Sequence, residues 1–135
     1  RCLVILWTAP YATRDPDRLD ITRAGCDRLL AAGKPAPGEV LAPSAVLVFP
    51  TLRQLKAART AAERDAVWDG YVVAYSAEQN ARERTRAAEY EALLAHERLV
   101  GVCFCRDPQR CHRTLAGVRL ARLGADYRGE IGGAS

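Results

Sequence analysis

No stretch of this 135-residue chain approaches the roughly 18 consecutive apolar residues that a membrane-spanning helix needs, so none is expected. The apolar start, Leu3 to Trp7, is too short for the core of a secretory signal, and no cleavage pattern follows it. The sequence opens on Arg1 rather than Met, as a trimmed N-terminus would. Lysine is scarce: only Lys34 and Lys56 among 20 basic residues, a bias that fits a GC-rich genome and says little about function. No internal repeat is present, which excludes a solenoid or propeller. There is no Cys-x-x-Cys pair, and the cysteine-phosphatase spacing fails because Cys105 plus six is Cys111, not arginine. Five cysteines form no paired disulfide framework. Reduced thiols in the cytoplasm are the expected state.

What is there is concentrated. Cys103, Cys105, Cys111 and His112 fall within ten residues, and they hold three of the five cysteines and one of the two histidines. An apolar run, Leu99-Val100-Gly101-Val102, precedes them and reads as a buried strand over 99–104. A helical pattern follows over 112–123 and stops at Gly124. In open α/β sheets ligands sit at the carboxyl ends of strands, so this junction is the expected site. Net charge is +4, and residues 106–128 alone carry six arginines against two aspartates. The excess positive charge therefore lies beside the cluster. It points to an anionic ligand, nucleotide-like or nucleic acid, with a solvated helix face as the equal alternative.

The remainder sets the frame. Leu3–Trp7 reads as a first buried strand ending in the loop Thr8–Tyr11, and Asp20–Arg23 as a short extended piece. A short helix over Gly25–Ala32 is stopped by Gly33. Ser44 is a predicted N-cap for an apolar helical stretch with Val46, Leu47, Phe49 and Leu52 on one side, in which Pro50 predicts a break or kink. Thr60-Ala61-Ala62-Glu63 is a capping box opening a long helix with the stripe Val67, Trp68, Tyr71, Val72, Tyr75, taken as core. A further helix is expected over 81–95 and a last strand over 126–131, with the Gly132-Gly133 tail frayed. The expected fold is one α/β domain over 1–135: a compact three-layer structure with a small, mostly parallel sheet and a long helical middle section.

Three readings of the cluster stay open. As a metal site, thiolates and imidazole suit zinc or iron, with Cys103, Cys105, Cys111 and His112 as ligands. Period-two alternation puts Cys103 and Cys105 on one side of the strand end, and Cys2, Cys26 and His96 are auxiliary candidates. As a thiol enzyme, Cys111 sits at a helix N-terminus among Arg110, His112 and Arg113, which together lower a thiol pKa. Cys111 and His112 would then be catalytic, and Arg110 and Arg113 would hold an anion. As structure, the cysteines are simply core and Arg113 ties loop to helix. Tyr11, after the first strand, is a candidate for stacking on a base, and Arg23 for reaching the site, with rim packing and a surface ion pair as the plainer roles.

The run Cys-Phe-Cys-Arg-Asp-Pro-Gln-Arg-Cys-His-Arg resembles the C-terminal signature of domain-of-unknown-function family 488, Cys-x-Glu-x-x-Pro-x-x-Cys-His-Arg. Asp20-Ile21-Thr22-Arg23, Leu41-Ala42-Pro43-Ser44 and Gly124-Ala125-x-Tyr127-x-Gly129-Glu130 resemble blocks of a bacterial and phage branch of it. The resemblance implies a compact α/β domain and brings no reaction with it. It marks Cys103, Cys111, His112 and Arg113 as the heart of the site. Cys105 stands where relatives carry Glu; both are metal ligands, whereas Glu cannot serve as a sulfur nucleophile. The sequence reading is thus an enzyme on an anionic substrate, or else a non-catalytic binding module with a structural Cys/His cluster.

Overall fold

The computed structural model describes residues 3–105 and 107–132. Cys2, Arg106 and Gly133, all used in the sequence reading, lie outside the described residues. Four strands form one parallel sheet: β1 (Ile5–Pro10), β2 (Arg18–Asp20), β3 (Arg98–Cys103) and β4 (Asp126–Glu130), in the order β2-β3-β1-β4. Five α-helices accompany them: α1 (Arg23–Ala31), α2 (Ala45–Ala57), α3 (Ala61–Thr85), α4 (Ala87–Leu94) and α5 (His112–Arg122). Short 3₁₀ turns occupy Pro37–Leu41 and Pro108–Arg110. This is the α/β fold with a small parallel sheet and a long helical middle. Among the described residues no helix is long and apolar enough to cross a membrane.

The strand order explains where the helices go. The connection from β1 to β2 crosses the sheet in one direction, while those from β2 to β3 and from β3 to β4 cross in the other. Right-handed crossovers put the two like-directed connections on the same face. The main core lies there: Val4, Leu6, Leu19 and Leu99 meet Val40 and Leu41 of the first 3₁₀ turn, Tyr90 and Leu93 of α4, and Ala116 and Leu120 of α5. The other face carries a smaller cluster, Ala9, Val100 and Val102, with Trp7, Tyr11 and Ile131 against it. β1 and β3 are neighbours whose outgoing connections run to opposite sides, the topological position at which open α/β sheets place ligand sites.

Several boundaries differ from the sequence reading for physical reasons. β1 runs to Pro10, because Pro10 pairs in register with Cys103 of β3. The extended piece expected at 20–23 is β2 at Arg18–Asp20. Thr22 instead caps α1, its hydroxyl accepting from the Gly25 amide. Pro50 does not break α2. The amide it lacks would have bonded the carbonyl of Val46, which is 85% exposed and open to water. Half of the capping box forms as expected, Thr60 accepting from the Glu63 amide, while Glu63 reaches one residue further back and accepts from the Arg59 amide. α3 continues through the expected start of a new helix at Ala81 and ends at Thr85, with Arg86 as the joint to α4.

Polar side chains of α3 lock it onto the 3₁₀ turn. Tyr75 donates to the Leu41 carbonyl, Gln79 to that of Val40, and Arg82 to those of Val40 and Ala42. The Gln79 carbonyl in turn accepts from Tyr90 of α4. On the other side of α3, Arg119 of α5 pairs with Glu83 and Asn80.

α5 reaches β4 through Gly117. A Cβ there would fall 2.5 Å from the ring of Tyr127, whose hydroxyl meets Thr8 Oγ1 at 3.0 Å. Alanine normally gains about 1 kcal/mol over glycine inside a helix. The overlap with a fixed ring outweighs this, so Gly117→Ala should destabilise by roughly 1–3 kcal/mol. Urea unfolding decides it; a variant more stable than the parent would show that the ring gives way.

Candidate functional site

Cys103 ends β3, Cys105 lies in the loop, and Cys111 is the N-cap residue of α5, followed at once by His112 and Arg113. The loop is shaped by its own residues. Asp107 accepts from the Gln109 amide, Pro108 starts the 3₁₀ turn, and Thr114 donates back to the Pro108 carbonyl at 2.5 Å. The turn therefore returns the chain to the strand end it left.

The consequence is a tight cluster. The Sγ atoms of Cys103 and Cys111 and a ring nitrogen of His112 lie within 4.8 Å of one another, and all three residues are buried. Cys103 Sγ is 3.5 Å from His112 Nδ1 and 3.8 Å from Cys105 Sγ. His112 Nε2 is 2.6 Å from the carbonyl oxygen of Ile21, beside β2. A carbonyl only accepts, so Nε2 carries the proton and donates. In the neutral ring the lone pair is then on Nδ1, facing the sulfurs.

The sulfurs are electrostatically unequal. The Cys103 thiol is pushed up, first by its contacts with Cys105 and Cys111 and then by burial. Cys105 is pulled down to about 4 by the sulfurs of Cys103 and Cys111, with the Arg113 guanidinium adding and burial opposing. Cys26 is a different case: its buried thiol donates to the Asp20 carbonyl, and burial together with Asp20 pushes it up to about 12. His96 precedes β3 and so lies at the opposite end of that strand.

Several of the arginines are committed to carboxylates. Arg113, with no solvent exposure, makes two bonds to Glu130 (2.9 and 3.1 Å), donates to the Cys105 carbonyl at 2.6 Å and lies 3.5 Å from Cys111 Sγ. It ties loop to helix and both to β4. Arg110 points away to Asp65 of α3 and Asp107. Arg128 pairs with Asp126. Tyr11 stacks on Phe104, with ring centroids 3.8 Å apart, while its hydroxyl donates to Asp20. Arg23 pairs with Glu39 and Asp27 and donates to the Pro43 carbonyl.

Cys103, Cys105 and His112 form the floor of a cleft of about 220 Å³. Its walls are Thr22, Arg23 and Ala24 at the start of α1, Pro43, Val48, Phe49 and Leu52 on and before α2, and Phe104. The sequence reading put Val46, Leu47, Phe49 and Leu52 along one apolar side of this helix without saying what covers it. In the structure α2 has no buried residue, and Phe49 and Leu52 stay partly exposed at the cleft mouth. The missed signal was an apolar helix with a proline inside it, just before the capping box. Glu130 was also missed as a site residue, although it closes the Gly129-Glu130 block.

The family model described as the active DUF488-N3 subclade matches residues 13–123. The chain belongs to the DUF488 family. The match spans the loop, the cluster and every residue lining the cleft. No curated protein and no solved structure matches the chain.

One electrostatic anchor of the DUF488 cleft is testable by pH. Burial alone would raise the Glu39 carboxyl, but hydrogen bonds from Arg23 and Arg86 win and hold it below its ordinary value of 4.5. A carboxyl lowered in the folded state adds stability above its unfolded pKa, and that stability is lost as pH falls through the folded value. Stability should therefore fall with acid below about pH 4.5, with Asp15 and Glu89, also lowered, adding to the slope. Glu39→Gln should flatten this acid limb and lower stability at neutral pH. An unchanged acid limb in denaturant titrations would remove Glu39 from the account.

Proposed function

We propose that this DUF488 protein is an enzyme whose reaction centre is a soft divalent metal, zinc or iron, held by Cys103, Cys111 and His112 at the floor of the cleft. The observation that carries this is the orientation of His112. The Ile21 carbonyl occupies Nε2–H and aims the Nδ1 lone pair at the sulfurs, the outer-shell arrangement of metal-bound histidines. The spacing supports it. Zinc bonds of about 2.3 Å to sulfur and about 2.0–2.1 Å to nitrogen at tetrahedral angles put two sulfurs about 3.8 Å apart and sulfur and nitrogen about 3.6 Å apart. The Cys103–His112 separation here is 3.5 Å, and the ligand atoms of Cys103, Cys111 and His112 all lie within 4.8 Å of one another.

Three fixed ligands leave a fourth position beside Cys105, which lines the cleft. A metal with an open position polarises a bound group or supplies hydroxide near neutral pH. The apolar walls suit the uncharged part of a substrate, such as the ring of a nucleotide-like molecule, with Phe104 supported from behind by Tyr11. An anionic part of the substrate would meet main-chain amides at the start of α5, because Arg110 and Arg113 are already paired.

A second reading keeps the cleft and drops the metal. Cys105 is the half-buried thiol on the cleft floor, beside the sulfur of Cys103 and under Arg113, as a nucleophile would be. Cys111 and His112 would then act on its proton balance. The rival class is a non-catalytic module that binds nucleic acid through residues 106–128. Its sign would be retention on a polyanion column that weakens steeply with salt.

Elemental analysis of natively purified protein decides between them. We expect about one equivalent of zinc or iron, as such ligand sets hold. Cys103→Ser, Cys111→Ser and His112→Gln should each lose it, while Cys26→Ser retains it. Metal-free protein whose Cys105 is the first thiol alkylated by iodoacetamide would establish the second reading in its place. Metal that survives all three ligand substitutions would sink the assignment.

A further inference from the structure

We propose that Tyr71 is a positioning residue for the cluster, its hydroxyl held ready to donate to a cluster thiolate once the metal is bound. This rests on the metal reading above. The placement follows from how α3 runs beside the loop. Asp65 of α3 meets Arg110 at 2.5 Å, and the ring of Tyr75 lies 5.8 Å from that of His112. Arg110 and His112 bracket Cys111 in the chain, and Asp65 and Tyr75 bracket Tyr71 on α3. Tyr71, stacked on Tyr75, therefore shares the side of α3 that meets the start of α5. Burial raises the pKa of its phenol, and Tyr75 and then the sulfurs of Cys111, Cys103 and Cys105 add to the rise. The sulfurs are thus near enough to act on the hydroxyl electrostatically, although none accepts from it in this structure.

Its hydrogen bonding is the anomaly. Tyr71 is 4% exposed, and its hydroxyl is the one buried side-chain nitrogen or oxygen atom among the described residues without a partner. Neighbouring buried hydroxyls are satisfied: Tyr75 donates to Leu41 and Tyr90 to Gln79. The ring cannot swing out to find an acceptor. It is stacked between Trp68, at 5.1 Å between centroids, and Tyr75, at 5.8 Å. An unpaired hydroxyl in this position is costly, and phenylalanine would fill the same space without the cost. A neutral thiol is a weak acceptor, but a metal-bound thiolate keeps its charge and accepts strongly. Arg113 already supplies one donor to Cys111 at 3.5 Å. Tyr71 would supply a second once a bound metal keeps a thiolate there to accept it.

The test uses Co(II) as the probe, bound to the full chain in wild-type and Tyr71→Phe forms. Its sulfur-to-metal charge-transfer band reports the electron density on the thiolates. Loss of a donor to sulfur should move that band to longer wavelength and weaken Co(II) binding by about tenfold or more. Tyr75→Phe is the comparison: it removes a satisfied structural bond, so it should lower stability and leave the band in place. A Tyr71→Phe protein with unchanged band and affinity overturns the proposal and leaves the metal reading standing. A Tyr71→Phe protein that does not fold makes the hydroxyl structural and also overturns it. A wild-type protein with no charge-transfer band overturns the metal reading, and this proposal with it.

Discussion

A guanidinium withdrawn from water must be met by acceptors on every side, and Arg113 is fully buried. Its partners come from three parts of the chain: Glu130 at the end of β4, the Cys105 carbonyl in the loop, and Cys111 at the start of α5. Removing Glu130 would leave that charge unpaired in a low-dielectric setting, which is far more costly than losing a surface pair. The loop conformation, the position of the last strand and the entry of α5 are therefore set together. The same guanidinium biases the Cys105 sulfur toward negative charge. One buried ion pair thus links the integrity of the fold to the reactivity of the cluster.

The long middle section serves that arrangement from the other side. α3 is too polar to be an ordinary core helix, and its buried face uses Tyr75, Gln79 and Arg82 to satisfy the carbonyls of the 3₁₀ turn. Those carbonyls have few other donors, since a turn of this length satisfies little of its own backbone. With the turn fixed, Ile21 and the start of α1 are fixed beside it, and the Ile21 carbonyl can orient His112. α2 is left outside this network, attached through α3 and through Ser44, which donates to Glu78. Its apolar side covers the cleft and not the core.

Much of this was legible in the chain. Alternation and continuous apolar runs mark β1 and β3, the capping box marks the start of α3, and the Cys-His-Arg run locates the site to within a few residues. The roles of the arginines were less legible. Charge counted along residues 106–128 suggests a free basic surface, yet Arg110, Arg113, Arg119 and Arg128 each face a carboxylate. Most of those partners come from distant segments, Asp65, Glu83 and Glu130 among them, and sequence proximity does not reveal them. Tyr71 shows the same limit: its helical spacing correctly reads as core, and nothing in the spacing shows an unpartnered hydroxyl.

Local chemistry determined the elements, because caps, breakers and hydrophobic periodicity act over a few residues at a time. The sequence by itself therefore settled the α/β class, the strand-to-helix junction and the identity of the clustered cysteines and histidine. Which nitrogen of His112 faces the sulfurs depended on a carbonyl 91 residues away. Whether Arg113 was available to a ligand depended on a carboxylate at the far end of the last strand. The walls of the cleft came from α1, α2 and the residue after β3, which only the parallel strand order brings to one edge. Tertiary structure decided these, since hydrogen-bond direction and charge pairing are properties of contacts in space and not of position along the chain.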